Sequence, residues 1–280
     1  MLSYRHSFHA GNFADVLKHL VLLRTLHHLT QKAKPLFYLD THAGAGGYLL
    51  NSEQAGKTRE FEEGIGRLWD TAELPPALEE YRRLVRHFNG EGPLQRYPGS
   101  PWFAQQLLRP QDRMVLRELH PNDFALLQQS FRTDKRCRVE REDGFQGCLA
   151  LLPPAERRGL VLIDPPYELK EDYQRVVDTL LAAHRRFATG CYAIWYPVVE
   201  RYRIERMEKV LVASGLRRIL LLELGVLPDS PGRGMTASGM ILVNPPWPLA
   251  SEMAPLLDYL AAHLADKGRG HSRVVELAGE

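Results

Sequence analysis

The segment Asp164-Pro165-Pro166-Tyr167 combines groups that could hold a planar base bearing an amino group. It follows residues 159–163, an apolar run typical of a strand buried on both faces of a parallel sheet. Asp164 offers an acceptor for an amino group, Pro165 a carbonyl on a backbone of fixed φ, and Tyr167 a flat stacking face. Ligands of open parallel sheets bind at the carboxyl ends of the strands, which predicts a site here. Alone, Asp-Pro-Pro is also an ordinary strand end.

Other predicted strands also end in polar groups. An acidic residue at the end of the second strand can accept hydrogen bonds from both hydroxyls of a ribose. An Asp-Gly pair after the third strand could reach an adenine edge, and a glycine-rich loop lets the backbone approach a ligand closely. The loop lacks the Gly-x-x-x-x-Gly-Lys pattern of a triphosphate site, so we infer an adenosine compound with few or no phosphates. These groups are Asp40, His42, the loop 44–47, Glu118, Asp143 and Gly144.

Hydrophobic periodicity predicts an α/β fold. A first helix should run from Asn12, its N-cap, to about Leu29, and Ser100 should cap a later helix. We expect a main domain of residues 1–51 and 98–280, interrupted by a polar helical insertion at 52–97. The insertion serves either partner or substrate recognition or a structural cap. Strands are expected at 36–40, 112–119, 137–143, 159–163, 191–196 (ended by Pro197), 219–224 and 240–243, the last two antiparallel, before a helix at 255–265 and a polar tail.

Composition narrows the class of protein. The 280 residues are 44% hydrophobic and 25% charged, as in a soluble globular protein, and contain no apolar run of the ~20 residues that span a bilayer. The N-terminus lacks an apolar signal region, and three cysteines outside any CxxC pair favour reduced thiols and a cytoplasmic location. The net charge of +2 does not by itself indicate nucleic acid. Basic clusters at 82–86 and 132–141 are either solvated faces or phosphate-binding surfaces.

Two further patterns are expected to carry no chemistry. Eleven histidines lack the tight paired spacing of zinc sites, so no metal is expected. The segment Asn244-Pro245-Pro246-Trp247 imitates the earlier motif but follows the last strand, and we interpret it as a strand end.

The predicted strand order, with its antiparallel pair, resembles that of the class I S-adenosylmethionine-dependent methyltransferases. Asp164-Pro165-Pro166-Tyr167 resembles their motif for methylating adenine N6. More narrowly, the chain is similar to the RlmJ family of bacterial 23S rRNA (adenine-N6)-methyltransferases, from its first residues to Trp247. The segments that carry this resemblance are 4–6, 9–12, 14–19, 40–46, 98–101 and 164–168.

The resemblance implies a fold, a cofactor and a partner. The fold would be a Rossmann-like sheet of seven mostly parallel strands with helices on both faces. The protein would act on 23S rRNA, free or in an assembling particle, as a monomer without a membrane partner. S-adenosylmethionine, leaving as S-adenosylhomocysteine, would be lined by His19, His42, Gly44, Ser100, Glu118, Asp143, Gly144 and Asp164. Tyr4, His6 and Lys18 would close over the cofactor and a flipped adenine held by Asp164, Pro165 and Tyr167.

The chemistry of such a site follows from the weakness of an adenine amine as a nucleophile. Acceptors at Asp164 and the Pro165 carbonyl would hold both N–H groups and favour a tetrahedral nitrogen. The residues leave open whether Asp164 also takes the proton. Alternatives are a DNA adenine-N6 or an rRNA guanine-N2 methyltransferase, or a non-catalytic RNA-binding assembly factor. The lack of a long target-recognition domain disfavours duplex DNA, and the complete motif disfavours binding alone.

Overall fold

A computed structural model of the chain describes residues 5–230, 234–266 and 268–280. Single turns of 3-10 helix lie at His6–Phe8 and Glu60–Glu62. The helices are α1 (Phe13–Thr30), α2 (Glu53–Thr58), α3 (Ile65–Trp69), α4 (Pro76–Asn89), α5 (Ser100–Leu107), α6 (Pro121–Phe131), α7 (Gly144–Ala150), α8 (Asp172–Arg186), α9 (Arg201–Ala213) and α10 (Leu249–Leu264). The strands are β1 (Phe37–Asp40), β2 (Gly47–Leu49), β3 (Arg96–Pro98), β4 (Arg113–Arg117), β5 (Cys137–Glu140), β6 (Gly159–Ile163), β7 (Cys191–Val198), β8 (Ile219–Gly225), β9 (Ala237–Val243) and β10 (His271–Ala278).

The central sheet has eight strands in the order β10-β8-β9-β7-β6-β1-β4-β5. Strands β5, β4, β1, β6 and β7 run parallel, whereas β9 is antiparallel to both β7 and β8. This arrangement confirms the α/β fold of the class I methyltransferases, including the antiparallel pair. Side chains alternate between two hydrophobic clusters, with α1, α5 and α10 on one face of the sheet and α7, α8 and α9 on the other.

The expected strand number of seven was wrong because β10 extends the sheet by one strand. It pairs antiparallel with β8 and occupies the segment expected to be a polar tail. An edge strand buries little of its surface, and most side chains of β10 are only half-buried. Val274 and Val275 are flanked by Arg273 and Glu276, so the hydrophobic pattern is too weak to predict a strand.

Two prolines lie inside elements that they were expected to bound. Pro197 is within β7 rather than at its end. Strand β6 pairs with β7 only as far as Ile194, so the missing N–H of Pro197 removes no hydrogen bond to β6. Pro255 lies inside α10, which begins six residues earlier, at Leu249. Ser100 is not an N-cap, because Gly99 holds that position and the Ser100 hydroxyl donates to Asp40 instead.

The segment 52–97 is not helical throughout. Its last residues belong to β3, which pairs antiparallel with β2 and so closes the base of the insertion. Between these two strands, α4 packs against α1 and α3 packs against α4. Ile65, Leu68 and Leu78 share one hydrophobic cluster with Leu20 of α1. None of the described helices is long and apolar enough to cross a membrane.

The insertion approaches the N-terminal segment most closely at Gly64. A Cβ atom there would lie 2.1 Å from the carbonyl oxygen of Gly11 and 2.5 Å from the carbonyl carbon of Asn12. Both neighbours are backbone atoms, so no side-chain rotation could relieve the contact. The N–H of the next residue, Ile65, donates to the same Gly11 oxygen at 2.9 Å, which fixes the two segments together.

We therefore expect Gly64→Ala to lower the melting temperature, since overpacking costs about 1–3 kcal/mol. The matched control is Gly56→Ala in α2, where no atom lies within 4 Å of the added Cβ. That variant should melt at or slightly above the wild-type temperature, because alanine is the better helix former. Thermal denaturation of the three proteins measures this, and equal melting temperatures for both variants would contradict the close contact.

Candidate active site

A cavity of about 560 Å³ opens at the carboxyl ends of the parallel strands. A volume of this size is typical of sites for small molecules. Asp40, one of the polar groups expected at the strand ends, is fully buried and does not line the cavity. The structure brings together at the cavity every described residue that was assigned to the cofactor or the base: His6, Lys18, His19, His42, Gly44, Ser100, Glu118, Asp143, Gly144, Asp164, Pro165 and Tyr167. Tyr4 lies outside the described residues. The roles assigned to these side chains stay predictions.

Lys18 is the buried charge at the centre of the site. Its Nζ lies 2.8 Å from Asp164 Oδ2 and 2.8 Å from Asp15 Oδ1, and its side chain is 5% exposed. Burial alone would lower the pKa of Lys18, but the two carboxylates outweigh it and raise the pKa above its ordinary value. Lys18 is therefore a permanent cation that joins the first turns of α1 to the end of β6.

Asp15 connects the same cation to the N-terminal segment. Its Oδ2 accepts a hydrogen bond from the Gly11 N–H at 2.9 Å and lies 2.8 Å from His6 Nε2. Burial opposes ionisation of Asp15, yet His6 and Lys18 hold its pKa well below the ordinary value. Asp15 was not among the predicted site residues. Its signal was an acidic side chain in the first helical turn, three residues before Lys18.

The N-terminal segment also contacts the insertion. Glu60 Oε1 lies 2.9 Å from His9 Nδ1, and its Oε2 accepts from Asn12 Nδ2 at 2.9 Å. The Asn12 side chain caps α1 as expected, by accepting from the Asp15 N–H. His19, on the next turns of α1, lies 2.7 Å from the hydroxyl of Tyr97 in β3. Burial lowers the pKa of His19 well below its ordinary value, so this ring is neutral.

Asp40, at the end of β1, organises the loop beside Asp164. Its Oδ2 accepts from the Ser100 hydroxyl at 2.7 Å and from the Tyr38 hydroxyl at 3.0 Å. Burial, together with the nearby Asp164, raises the pKa of Asp40 to about 6 despite these hydrogen bonds. The next site residue, His42, is kept neutral because burial lowers its pKa to about 4.

Two carboxylates lie further along the cavity. Glu118 accepts from the N–H groups of Gly44 and His120, at 2.8 and 2.7 Å, and burial raises its pKa. Asp143 caps α7, and its Oδ2 lies 3.2 Å from the Arg175 guanidinium. Burial opposes ionisation of Asp143, but backbone hydrogen bonds and Arg175 lower its pKa. Asp143 Oδ1 already accepts from the Phe145 and Gln146 N–H groups, whereas Asp143 Oδ2 and both Glu118 oxygens keep a lone pair with which to accept from a ligand.

Gly144 allows these groups to converge. A Cβ atom at this position would lie 1.9 Å from the Thr41 carbonyl oxygen. Only glycine therefore lets the start of α7 reach the loop after β1. The combination of Glu118, Asp143 and the loop at Gly44 fits the ribose and adenine of an adenosine compound. Within the described ranges, no cluster of three or more His, Cys, Asp or Glu side chains could hold a metal ion.

Tyr167 is held in an unusual backbone conformation at the cavity wall. Its φ is +51°, in the left-handed region that costs most residues about 1–2 kcal/mol. Its hydroxyl donates to the Trp195 carbonyl at 2.6 Å, and its ring lies edge-on to the Trp195 ring at 5.7 Å. The ring is thus fixed beside Asp164 and Pro165 rather than free to turn.

The family model described as "Ribosomal RNA large subunit methyltransferase D, RlmJ" matches residues 33–277. The chain belongs to the RlmJ family. It is 57% identical over 274 residues to "Ribosomal RNA large subunit methyltransferase J" of Escherichia coli (strain K12), covering 98% of each chain. It is 54% identical over 271 residues to the protein of the same name from Haemophilus influenzae, covering 96% of each. The crystal structure of protein LPL1258 from Legionella pneumophila has 39% identity and a TM-score of 0.89, covering 96% of this chain and 98% of that one.

The segment Asn244-Pro245-Pro246-Trp247 lies away from the cavity. Trp247 is 89% exposed, and the Asn244 side chain before it donates to the Ala188 and Gly190 carbonyls, near the start of β7. The second Pro-Pro motif therefore lies at the edge of the sheet opposite the cavity.

Two arginines of the basic clusters make contacts within the fold. Arg82 donates to the Leu68 carbonyl, and Arg136 pairs with Asp134, so these two side chains stabilise the fold.

Asp15→Asn removes one partner of the buried ammonium and should lower the free energy of unfolding by about 3 kcal/mol at pH 7. The pKa of Asp15 is depressed in the folded protein, so its stabilisation is present at neutral pH. The difference from wild type should shrink as the pH falls below about 4. Urea unfolding at several pH values measures this. Asp70→Asn, at an exposed position, should change stability by less than about 0.5 kcal/mol; a similar small effect at Asp15 would refute the buried pair.

Asp40 should give the opposite pH dependence. Its pKa of about 6 in the folded protein exceeds the ordinary value of 3.8, so the folded state retains a proton that the unfolded chain has lost. This contribution to stability is complete at low pH and is lost as the pH rises through 6, by up to roughly 3 kcal/mol. Between pH 4 and pH 7, Asp40→Asn should therefore lose less stability than wild type. Parallel curves from urea unfolding of the two proteins would contradict the raised pKa.

Proposed function

We propose that the chain transfers a methyl group from S-adenosylmethionine to the N6 amino group of an adenine in 23S rRNA. The observation that carries this proposal is the placement of Asp164, Pro165 and Tyr167 on the wall of a cavity that also holds Glu118 and Asp143. Membership in the RlmJ family supports it, as do the names of the two bacterial relatives, both called ribosomal RNA large subunit methyltransferases.

The residues fit the proposed cofactor in shape and charge. Glu118 would accept from the ribose hydroxyls and Asp143 would reach the adenine, with His42, Gly44 and Gly144 shaping the cavity between them. Ser100 and His19 would line its other side. Lys18 with Asp15 and Asp164 carries one net negative charge, since two carboxylates share one ammonium. That excess complements a positive sulfonium, which supplies a methyl group activated for transfer.

Asp164 orients the base in this proposal. Its Oδ2 is occupied by Lys18, so we assign Oδ1 and the Pro165 carbonyl to the two N–H groups of the target amine. Holding both hydrogens favours a tetrahedral nitrogen whose lone pair points away from the ring. We give Asp164 the orienting role, and the proton that the methylated nitrogen sheds passes to solvent at the open cavity. The fixed Tyr167 ring stacks on the unstacked adenine.

The first test is methyl transfer from labelled S-adenosylmethionine to unmodified 23S rRNA, 16S rRNA and duplex DNA, followed by nucleoside analysis. We expect N6-methyladenosine in 23S rRNA alone. Asp164→Ala should reduce the rate at least about a hundred-fold, as the loss of a positioned polar group in an active site does. Asp70→Ala, at an exposed position, should retain the wild-type rate.

Other outcomes would assign a different function. Label in DNA would keep the site and overturn the substrate, and label in guanosine would overturn the target base. Wild-type protein that binds S-adenosylmethionine by calorimetry but labels nothing would favour the non-catalytic assembly factor. Cofactor titration of Asp164→Ala separates a lost reaction from a lost cofactor.

A further inference from the structure

A series of planar groups leads from Tyr167 to the protein surface. The Tyr167 and Tyr173 ring centroids are 4.6 Å apart. The Arg203 guanidinium carbon lies 5.9 Å from the Tyr173 centroid and 5.0 Å from that of Tyr202. Tyr202, near the start of α9, is 55% exposed. We call Tyr167, Tyr173, Arg203 and Tyr202 the planar series; it begins at the motif ring and ends in solvent.

The inner members of the series are fixed in place. The Tyr173 hydroxyl donates to the Pro197 carbonyl at 3.1 Å, and the Tyr167 hydroxyl is held by Trp195. Arg203 forms an ion pair with Glu200 on the preceding turn. Because these groups are already ordered, a flat ligand that stacks on them costs little additional side-chain entropy.

The mouth of the cavity beside this series is apolar as well. Leu169, two residues after the motif, is 57% exposed, and Val199, just before α9, is 44% exposed. Both line the cavity. Single exposed apolar side chains are ordinary, but Lys170 and Arg203 line the same cavity, and Arg203 contacts the exposed Tyr202 ring. Flat faces, apolar contacts and neighbouring cations together are the features that bind unpaired nucleotides.

We propose that the planar series, with Leu169 and Val199, is the binding surface for the unpaired RNA strand adjoining the target adenine. This rests on the proposed function, since Tyr167 is the ring assigned to the adenine. The next nucleotides leave the cavity over Arg203 and Tyr202, on which their bases stack. Leu169 and Val199 contact the bases at the mouth, and Lys170 neighbours the phosphates. A duplex presents no free base faces to such a surface, so the partner is single-stranded RNA.

The test is fluorescence anisotropy with a short unstructured RNA containing one adenine, labelled with fluorescein, and with the same RNA annealed to its complement. Tyr202→Ala should weaken binding of the single strand about five-fold or more, as expected for loss of a stacking partner. Tyr202→Phe should restore most of the affinity. Arg203→Lys, which keeps the charge and loses the planar group, should also weaken binding. Trp247→Ala and Arg217→Ala, at the opposite edge of the sheet, serve as the matched controls and should bind as wild type does.

Steady-state methylation of 23S rRNA separates this proposal from the proposed function. Tyr202→Ala should raise the KM for RNA while the Kd for S-adenosylmethionine stays at its wild-type value. Unchanged RNA affinity in Tyr202→Ala and Arg203→Lys would overturn the binding surface, even if the wild-type protein methylates 23S rRNA. Equal losses for single-stranded and duplex RNA would overturn it too. Wild-type protein that binds the single strand through Tyr202 without methylating any RNA would refute the proposed function and leave the surface standing.

Discussion

The ion pairs of one buried ammonium constrain the whole site. Transfer of a lysine side chain from water to the interior costs several kcal/mol, and only well-placed carboxylates offset it. Lys18 has two, one from its own helix and one from the end of β6. The first helix can therefore be fully packed only when Asp164 is in its final position. The packing of α1 and the position of Asp164 at the cavity are coupled for this reason.

Burial also determines the protonation states of other ionisable groups at the site. His19 and His42 are neutral because burial outweighs the nearby Asp15 and Asp143 carboxylates, whose effect on the two pKa values Lys18 and Arg175 also oppose. Asp143 is ionised beside Arg175. Lys18 is a buried cation at the motif, and its two carboxylate partners outnumber it. Neither the His19 nor the His42 imidazole is protonated at neutral pH, so neither repels a cationic ligand.

Much of the fold and the site followed from local patterns. Apolar strands that end in Asp, Glu or Gly predicted the cavity, because the carboxyl ends of parallel strands meet at one edge. The features that were not predicted depend on contacts between residues far apart in the chain, or on a strand with a weak hydrophobic pattern. Ser100 was expected to cap its helix, but its hydroxyl is bonded to Asp40, 60 positions away in the chain. The hydrogen bond between His19 and Tyr97 spans 78 positions, and β10 is an edge strand with a weak pattern. No local spacing encodes such pairs.

The short ladder of β2 and β3 has a consequence for how the family can diversify. It brings the start and end of the insertion side by side, and the Gly99 N–H donates to Gly46 across the same junction. Tyr97, which contacts His19, lies within this ladder rather than above it. Exposed loops between the two strands can therefore be lengthened, since closing a loop whose ends already touch adds little entropic cost, whereas Glu60 and Gly64 are constrained by their contacts with the N-terminal segment. Recognition surfaces can evolve there while the spacing of the reactive groups stays constant.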